Sequence, residues 1–195
     1  TLEGKVEKRK RVNFIFLPYY RICSLSQVES ILNELEAKYG LTTLSINDKG
    51  FDPTKYHEGS SWIWLNLMYA QILLRNGNFR KAYSIIEKID SLLNKYSLLS
   101  FPECIHPFTG ENLGALKQAW SAAMAIEVID KGWIGFEFNA FTNTIKLSPF
   151  LQEGMKIERK VALVNDTIKF EIERKNNKYH FTFESEKNKK YRLYF

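Results

Sequence analysis

Ser61-Trp62-Ile63-Trp64-Leu65-Asn66-Leu67-Met68-Tyr69-Ala70-Gln71-Ile72-Leu73-Leu74-Arg75 is the stretch on which the fold turns. Wound at 3.6 residues per turn it has almost no polar side, so it predicts a helix buried all round. Its neighbours are of another kind. In residues 79–96, Ala82, Tyr83, Ile86, Ile89 and Leu93 recur on one stripe while Arg80, Lys81, Glu87, Lys88 and Asp90 fall opposite. Residues 26–38 repeat that one-sided pattern through Val28, Ile31, Leu32 and Leu35, with Ser26 and Glu29 spaced as a capping box. Residues 115–129 return to the all-round apolar kind through Leu116, Trp120, Met124 and Val128, and residues 12–22 form a further apolar segment interrupted by Pro18. Alternation of one-sided and all-round helices implies an inner layer clothed by an outer one. An αα toroid and a plain helical bundle both satisfy that pattern.

Beyond Gly132 the period changes to 2. Ile168, Phe170 and Ile172 alternate with Lys169, Glu171 and Glu173, and Tyr179, Phe181 and Phe183 alternate with His180, Thr182 and Glu184. These are strands with one solvated face, and Asn165-Asp166, Asn176-Asn177 and Asn188 supply the turns between them. The reading is a mainly α chain: a helical domain over residues 1–131 and a small antiparallel β domain over 132–195. So small a β module needs a neighbour to pack on.

With 195 residues, 45% hydrophobic and 14% aromatic, the chain carries more large apolar surface than a linker or tail would need. No run approaches the roughly 20 apolar residues of a membrane span, and the polar N-terminal stretch has no secretory pattern, so no membrane partner is expected. The net charge of +6 raises the question of nucleic acid. Apart from Lys5, Lys8, Arg9, Lys10 and Arg11, however, the bases are interleaved with acids, as solvated faces are, and no nucleic-acid partner is expected. Cys23 and Cys104 lie far apart, and His57, His106 and His180 are scattered, so no metal site and no cofactor is expected. A reducing cytoplasm is the expected compartment.

Two loop-to-helix junctions concentrate chemistry. The first runs Tyr56-His57-Glu58-Gly59-Ser60-Ser61-Trp62 into the apolar helix; the second runs Phe101-Pro102-Glu103-Cys104 through Thr109-Gly110 to Gln118-Ala119-Trp120-Ser121. Aromatic rings, carboxylates and hydrogen-bonding groups collected in one place suit a sugar, whose apolar C–H faces stack on rings while its hydroxyls need fixed polar partners.

The same residues carry a family resemblance. Tyr56-His57-x-Gly59-Ser60-x-Trp62-x-Trp64-Leu65-Asn66, Pro102-Glu103 with Thr109-Gly110, and Gln118-Ala119-Trp120-Ser121-Ala122-Ala123 resemble the catalytic C-terminal domain of glycogen debranching enzymes, the amylo-α-1,6-glucosidase family. Arg11-x-Asn13 and Tyr39-Gly40-Leu41-x-Thr43-Leu44-Ser45 precede them in family order. The resemblance implies the C-terminal part of an (α/α)6 toroid followed by the small antiparallel sheet, acting on α-glucans or oligosaccharides with inversion. Glu103 matches the general base. A second carboxyl group, about 6.5–9.5 Å away, serves as the acid in such enzymes. The resemblance takes it from a loop that precedes this sequence.

Asn13, Tyr56, His57, Glu58, Trp62, Gln118 and Trp120 are the expected substrate contacts. Because neighbours two apart on a helix point in roughly opposite directions, Trp62 is assigned to the sugar and Trp64 to the core. The sequence departs from the family at Val12 and Ile63, where Pro is usual, at Thr42, where Arg is usual, and at Glu58, where an amide is more frequent; Glu58 is read as solvated rather than as a substitute acid. The alternative is a non-catalytic sugar-binding or interaction module without the acid. An incomplete toroid would leave inner-helix surface bare, so self-association or an upstream segment is expected to cover it.

Overall fold

The computed structural model describes residues 8–96 and 100–195, so Lys5 of the basic stretch lies outside the described residues. The chain forms two compact units, one ending at Val128 and one comprising Ile129–Phe195. The first contains helices α1 (Phe16–Tyr19), α2 (Glu29–Asn33), α3 (Ile63–Arg75), α4 (Phe79–Tyr96) and α5 (Ala119–Glu127). Between them run the two-residue strands β1 (Glu36–Ala37), β2 (Gly40–Leu41), β3 (Ser61–Trp62) and β4 (Cys104–Ile105). No helix among the described residues is long and apolar enough to cross a membrane.

The apolar stretch is α3, and Ile63, Ala70, Ile72, Leu73 and Leu74 on it are all essentially inaccessible. A helix of thirteen residues is marginal alone; here each fully buried Leu or Ile contributes about 1.5–3 kcal/mol. Gly77, at φ +75, ends it in a Schellman motif: Asn78 N–H reaches Leu73 O at 2.9 Å and Gly77 N–H reaches Leu74 O at 3.0 Å. On α4 the buried stripe is Ala82, Ile85, Ile89 and Leu92. It is turned by about one residue from the expected set.

Elsewhere helix is shorter than the apolar pattern suggests, in two places because the chain bonds to a distant segment. Residues 26–38 give only a 3₁₀ turn, Leu25–Gln27, capped by Ser24 with Gln27, and then the five residues of α2. The carbonyl of Leu35 accepts from Thr42 N–H at 2.8 Å and Thr42 Oγ1 at 3.0 Å, so the chain turns back into the β1–β2 pair instead of winding on. Residues 12–22 give a 3₁₀ turn, Val12–Ile15, and the single turn of α1. Residues 115–118 stay unwound because they bond across to Phe101 and Glu103, and α5 then exposes Trp120 and Ile126 rather than burying every face. Helix makes up 33% and strand 26%. The chain is therefore neither mainly α nor part of an (α/α)6 toroid.

A row of short antiparallel pairings replaces the expected helix layer. Arg11 bridges Leu44, Thr42 bridges Ser61, β3 pairs β4 with Trp62 opposite Cys104, and Ile105 bridges Asn112. Asn66, fully buried on α3, ties the row to the helix: its amide donates to Ser61 Oγ at 2.9 Å and Trp62 O at 2.8 Å, and its Oδ1 accepts from Leu41 N–H at 2.6 Å. Gly40 permits this approach, with φ +114 and no room for a Cβ, which would lie 2.1 Å from Asn66 Oδ1.

In the second unit β5 (Glu137–Asn139), β6 (Thr144–Lys146), β7 (Lys156–Leu163), β8 (Asp166–Lys175), β9 (Lys178–Ser185) and β10 (Arg192–Tyr194) form two three-stranded sheets, not one. β7–β8–β9 is an antiparallel meander, whereas β10 runs parallel to β6. Ile168, Phe170 and Ile172 of β8 form a core with Ile134, Ile145, Leu147 and Leu151. Asn176 and Asn177, at φ 55 and 57, make the two-residue turn between β8 and β9. Asp166, the first residue of β8, is buried and accepts from Ser185 Oγ at 2.6 Å and Tyr191 OH at 2.8 Å.

Candidate active site

The β3–β4 pairing decides where Glu103 stands. Its backbone is held on both sides, N–H to Ala115 O at 2.8 Å and carbonyl to Ile63 N–H at 3.4 Å. The half-buried carboxylate then collects three donors. Oε1 accepts from Tyr56 OH at 2.5 Å and from Gln118 Nε2 at 3.1 Å, and Oε2 accepts from Ala115 N–H at 3.2 Å. A carboxylate offers about four lone-pair sites, so one on Oε2 is uncommitted. The hydrogen bond to Glu103, together with burial, pushes the Tyr56 phenol up to about 12, which keeps it a proton donor over the whole working range. Beneath Glu103 lies the buried thiol of Cys104, pushed up to about 11 chiefly by burial.

Gly114 completes this packing for want of space. A Cβ there would lie 2.8 Å from Glu103 Oε2 and 2.9 Å from Cys104 Sγ.

Around the carboxylate the rings form a continuous row. Tyr56 packs edge-on to Trp62 with centroids 4.5 Å apart, His57 stacks on Trp62 at 5.8 Å, Trp62 meets Trp64 at 6.3 Å, and Trp64 meets Trp120 at 5.8 Å. Trp62 and Trp64 therefore do not point apart. Trp62 is the extended N-cap of α3 rather than a helical residue, so helical geometry does not relate the two, and both face one cavity. Trp62 is only 7% exposed, its indole N–H shared between Tyr56 O and Ser60 Oγ at 3.0 Å each. Trp120, 59% exposed, presents the open platform.

That cavity, about 280 Å³, is walled by Arg11, Asn13, Thr43, His57, Trp62 and Trp64 among others. Glu58 keeps part of its side chain in solvent, 34% exposed, and is ion-paired as well. Arg11 Nη2 reaches its two oxygens at 3.0 and 3.2 Å, and Arg11 Nη1 donates to His57 O at 2.8 Å. Of the expected contacts, Tyr56 and Gln118 meet on Glu103, Asn13, His57 and Trp62 meet at the cavity, and Glu58 serves Arg11. Arg11, Thr43, Trp64 and Gly114 were not singled out for these places. For Arg11 and Thr43 the motif positions were visible; for Gly114 nothing local distinguishes a glycine needed for space.

Residues 24–121 match the family model described as mannosylglycerate hydrolase MGH1-like glycoside hydrolase domain. A glucosylglycerate hydrolase of Mycolicibacterium hassiacum is 32% identical over 101 residues, which are 51% of this chain and 21% of that protein. The chain thus spans about a fifth of that curated relative. The GH63 mannosylglycerate hydrolase of Thermus thermophilus, solved in complex with glucose, superposes with a TM-score of 0.54 at 22% identity, over 64% of this chain and 32% of that one. Its complex with Tris and D-glycerate gives 0.53 at 23% identity, over 64% and 31%. These superpositions carry the fold. The class of glycoside hydrolases stands, and the narrower resemblance to glycogen debranching enzymes is corrected by these matches.

Proposed function

Since the chain belongs to the mannosylglycerate hydrolase MGH1-like glycoside hydrolase domain family, we propose that it contributes Glu103 as the general base of an inverting glycosidase. The observation that carries this reading is the threefold grip on the carboxylate by Tyr56, Gln118 and Ala115 N–H beside a row of aromatic rings. Water binds at the open lone pair of Oε2, loses its proton to Glu103 as it attacks the anomeric carbon, and the leaving oxygen takes a proton from a second carboxyl group. Glu58 is engaged by Arg11 through both oxygens and does not serve as that acid. The acid is contributed by another residue of the glycosidase; this chain covers about a third of the solved relative's chain.

Trp120 stacks on the sugar, and Asn13, His57 and Trp62 contact it. The relatives act, by their names, on glycosides of glycerate, which makes α-glycosides of a small hydroxy acid the first substrate class and α-glucan chain ends the second. The compartment is the cytoplasm, in keeping with the free thiols of Cys23 and Cys104. Self-association through the exposed Ile126 of α5, leaving Trp120 to the sugar, belongs to the same reading and is testable by sedimentation.

Glucosylglycerate, mannosylglycerate and maltose should be offered to the protein as the cell makes it and to its Glu103→Gln variant. Loss of a general base is expected to cost about 10²–10⁴ in rate, with the inverted anomer appearing first in the NMR spectrum of the native reaction. An unchanged rate in the variant removes Glu103 from the mechanism.

A further inference from the structure

Every open sheet ends in strands whose outer backbone N–H and C=O groups another chain can take up. The two sheets of Ile129–Phe195 have four such edges, β5, β10, β7 and β9. Three are blunted. β5 and β10 are only three residues long each. β7 carries a charge on its inward side, Arg159, which lies opposite Phe170 of β8 and is held by Asp130 at 2.6 Å. An inward-pointing charge is a common guard of an edge, because a further strand would have to pack its apolar side against it. β9 (Lys178–Ser185) has no such guard. It runs for eight residues without Pro or Gly, in unbroken register with β8. Its inward side chains are aromatic: Phe181 and Phe183 pack on the core, and Tyr179 is left 43% exposed. The backbone of residues 178–184 makes no hydrogen bond outside the ladder with β8 among the described residues.

The order of side chains along β9 says what fits there. In an antiparallel pairing about a two-fold axis, opposite residues share a face and every contact off the axis occurs twice. With Phe181 on the axis, Lys178 of one copy stands opposite Glu184 of the other, Tyr179 opposite Phe183, and His180 opposite Thr182. Opposite charges and paired aromatic rings are the cross-strand combinations that stabilise. The same operation on β7 about Glu158, Arg159 or Lys160 sets a charge against its own kind on the axis. We propose that β9 is a docking edge for β9 of a second copy of this chain, which joins two three-stranded meanders into one continuous antiparallel sheet. The interface is independent of the glycosidase reading. It lies outside residues 24–121, which match the family model, and uses none of the residues of α5.

Sedimentation of the whole chain over a range of concentrations is expected to show a monomer–dimer equilibrium. Lys178→Glu, a change at an exposed position, sets two acids face to face on both sides of the axis and should raise the dimer Kd about tenfold or more. Glu184→Lys should do the same by setting two bases together. The double variant exchanges the signs, restores both pairs, and should bring Kd back to within about threefold of native. Within one copy Glu184 stands opposite Lys169 of β8, so any loss of Tm in Glu184→Lys persists in the double variant. A recovered dimer therefore reports the interface and not a recovered fold. Single variants that pair as the native chain does, a double variant that stays apart, or a native chain monomeric up to its solubility limit would each overturn the proposal.

Ile126→Asp separates this edge from association through α5. A dimer dispersed by that change and untouched by Lys178→Glu runs through α5, and the β9 interface then fails. Amide exchange gives the position directly: raising the protein concentration should slow exchange in β9 and leave β7 unchanged. Slowing confined to β7 would assign the pairing to the other edge.

Discussion

The two units follow their local sequence to different degrees. In Ile129–Phe195 the period of 2 becomes strands almost residue for residue: Ile168, Phe170 and Ile172 are buried, and the paired asparagines 176 and 177 make the turn. In the unit ending at Val128 a local helical pattern is repeatedly overruled by a distant hydrogen bond, Thr42 to Leu35 in one place and Ala115 to Glu103 in another. Of the overruled segments, residues 115–118 bring Gln118 to Glu103, while Tyr56 and Glu103 lie in the loops between helices. A chain that must bring Tyr56, Glu103 and Gln118 together from three stretches of sequence gives up regular helix where they meet.

Substituting Gly40 by Ala attacks the overruled region most directly. The new Cβ would enter the Asn66 amide at an unfavourable φ, and a loss of about 2–5 kcal/mol is expected from strain plus overpacking. Denaturant melts followed by tryptophan fluorescence measure it, and a loss below about 1 kcal/mol, the lower end of overpacking costs, would mean that the β1–β2 turn is not what anchors α3.

Gly114→Ala acts on the same region with a narrower effect. Its Cβ meets Glu103 Oε2 and Cys104 Sγ, so hydrolysis should fall about a hundredfold, as for a carboxylate displaced by roughly 1 Å, while the melt shifts far less than for Gly40→Ala. Restored activity in Gly114→Ala combined with Cys104→Ala would assign the crowding to the thiol instead.

The smallest effect lies in the regular unit and depends on pH. Burial pushes the Asp166 carboxyl up, but hydrogen bonds from Ser185, Tyr191, Lys187 N–H and Thr167 N–H outweigh it and hold it down at about 2. A carboxyl depressed on folding stabilises fully above its ordinary value of 3.8 and loses that contribution as pH falls toward 2. Amide exchange in β8 and β9 should therefore quicken between about pH 4 and pH 2, and Asp166→Asn should remove the dependence.

Legibility in the sequence divides along the same line. The all-round apolar run of α3 and the alternation in β8 were readable because burial alone sets them. The parallel pairing of β10 with β6 was not, because Arg192–Tyr194 offers three residues and no period. Residues 26–38 read as a longer helix because Leu35 fits the stripe; that its carbonyl belongs to Thr42 is a fact of tertiary structure. At the site, Glu103, Tyr56 and Gln118 were named by motif, and their convergence is what the coordinates add. Glu58 read as solvated because its partner Arg11 lies 47 positions away.

The two sulfur atoms differ in a way that serves the bench. Cys104 is sealed under Glu103 with its thiol pushed up to about 11, whereas Cys23 is partly open and unpaired with another cysteine. A maleimide dye at neutral pH will accordingly mark Cys23 alone, giving a homogeneous single-colour conjugate without any engineering of the other position.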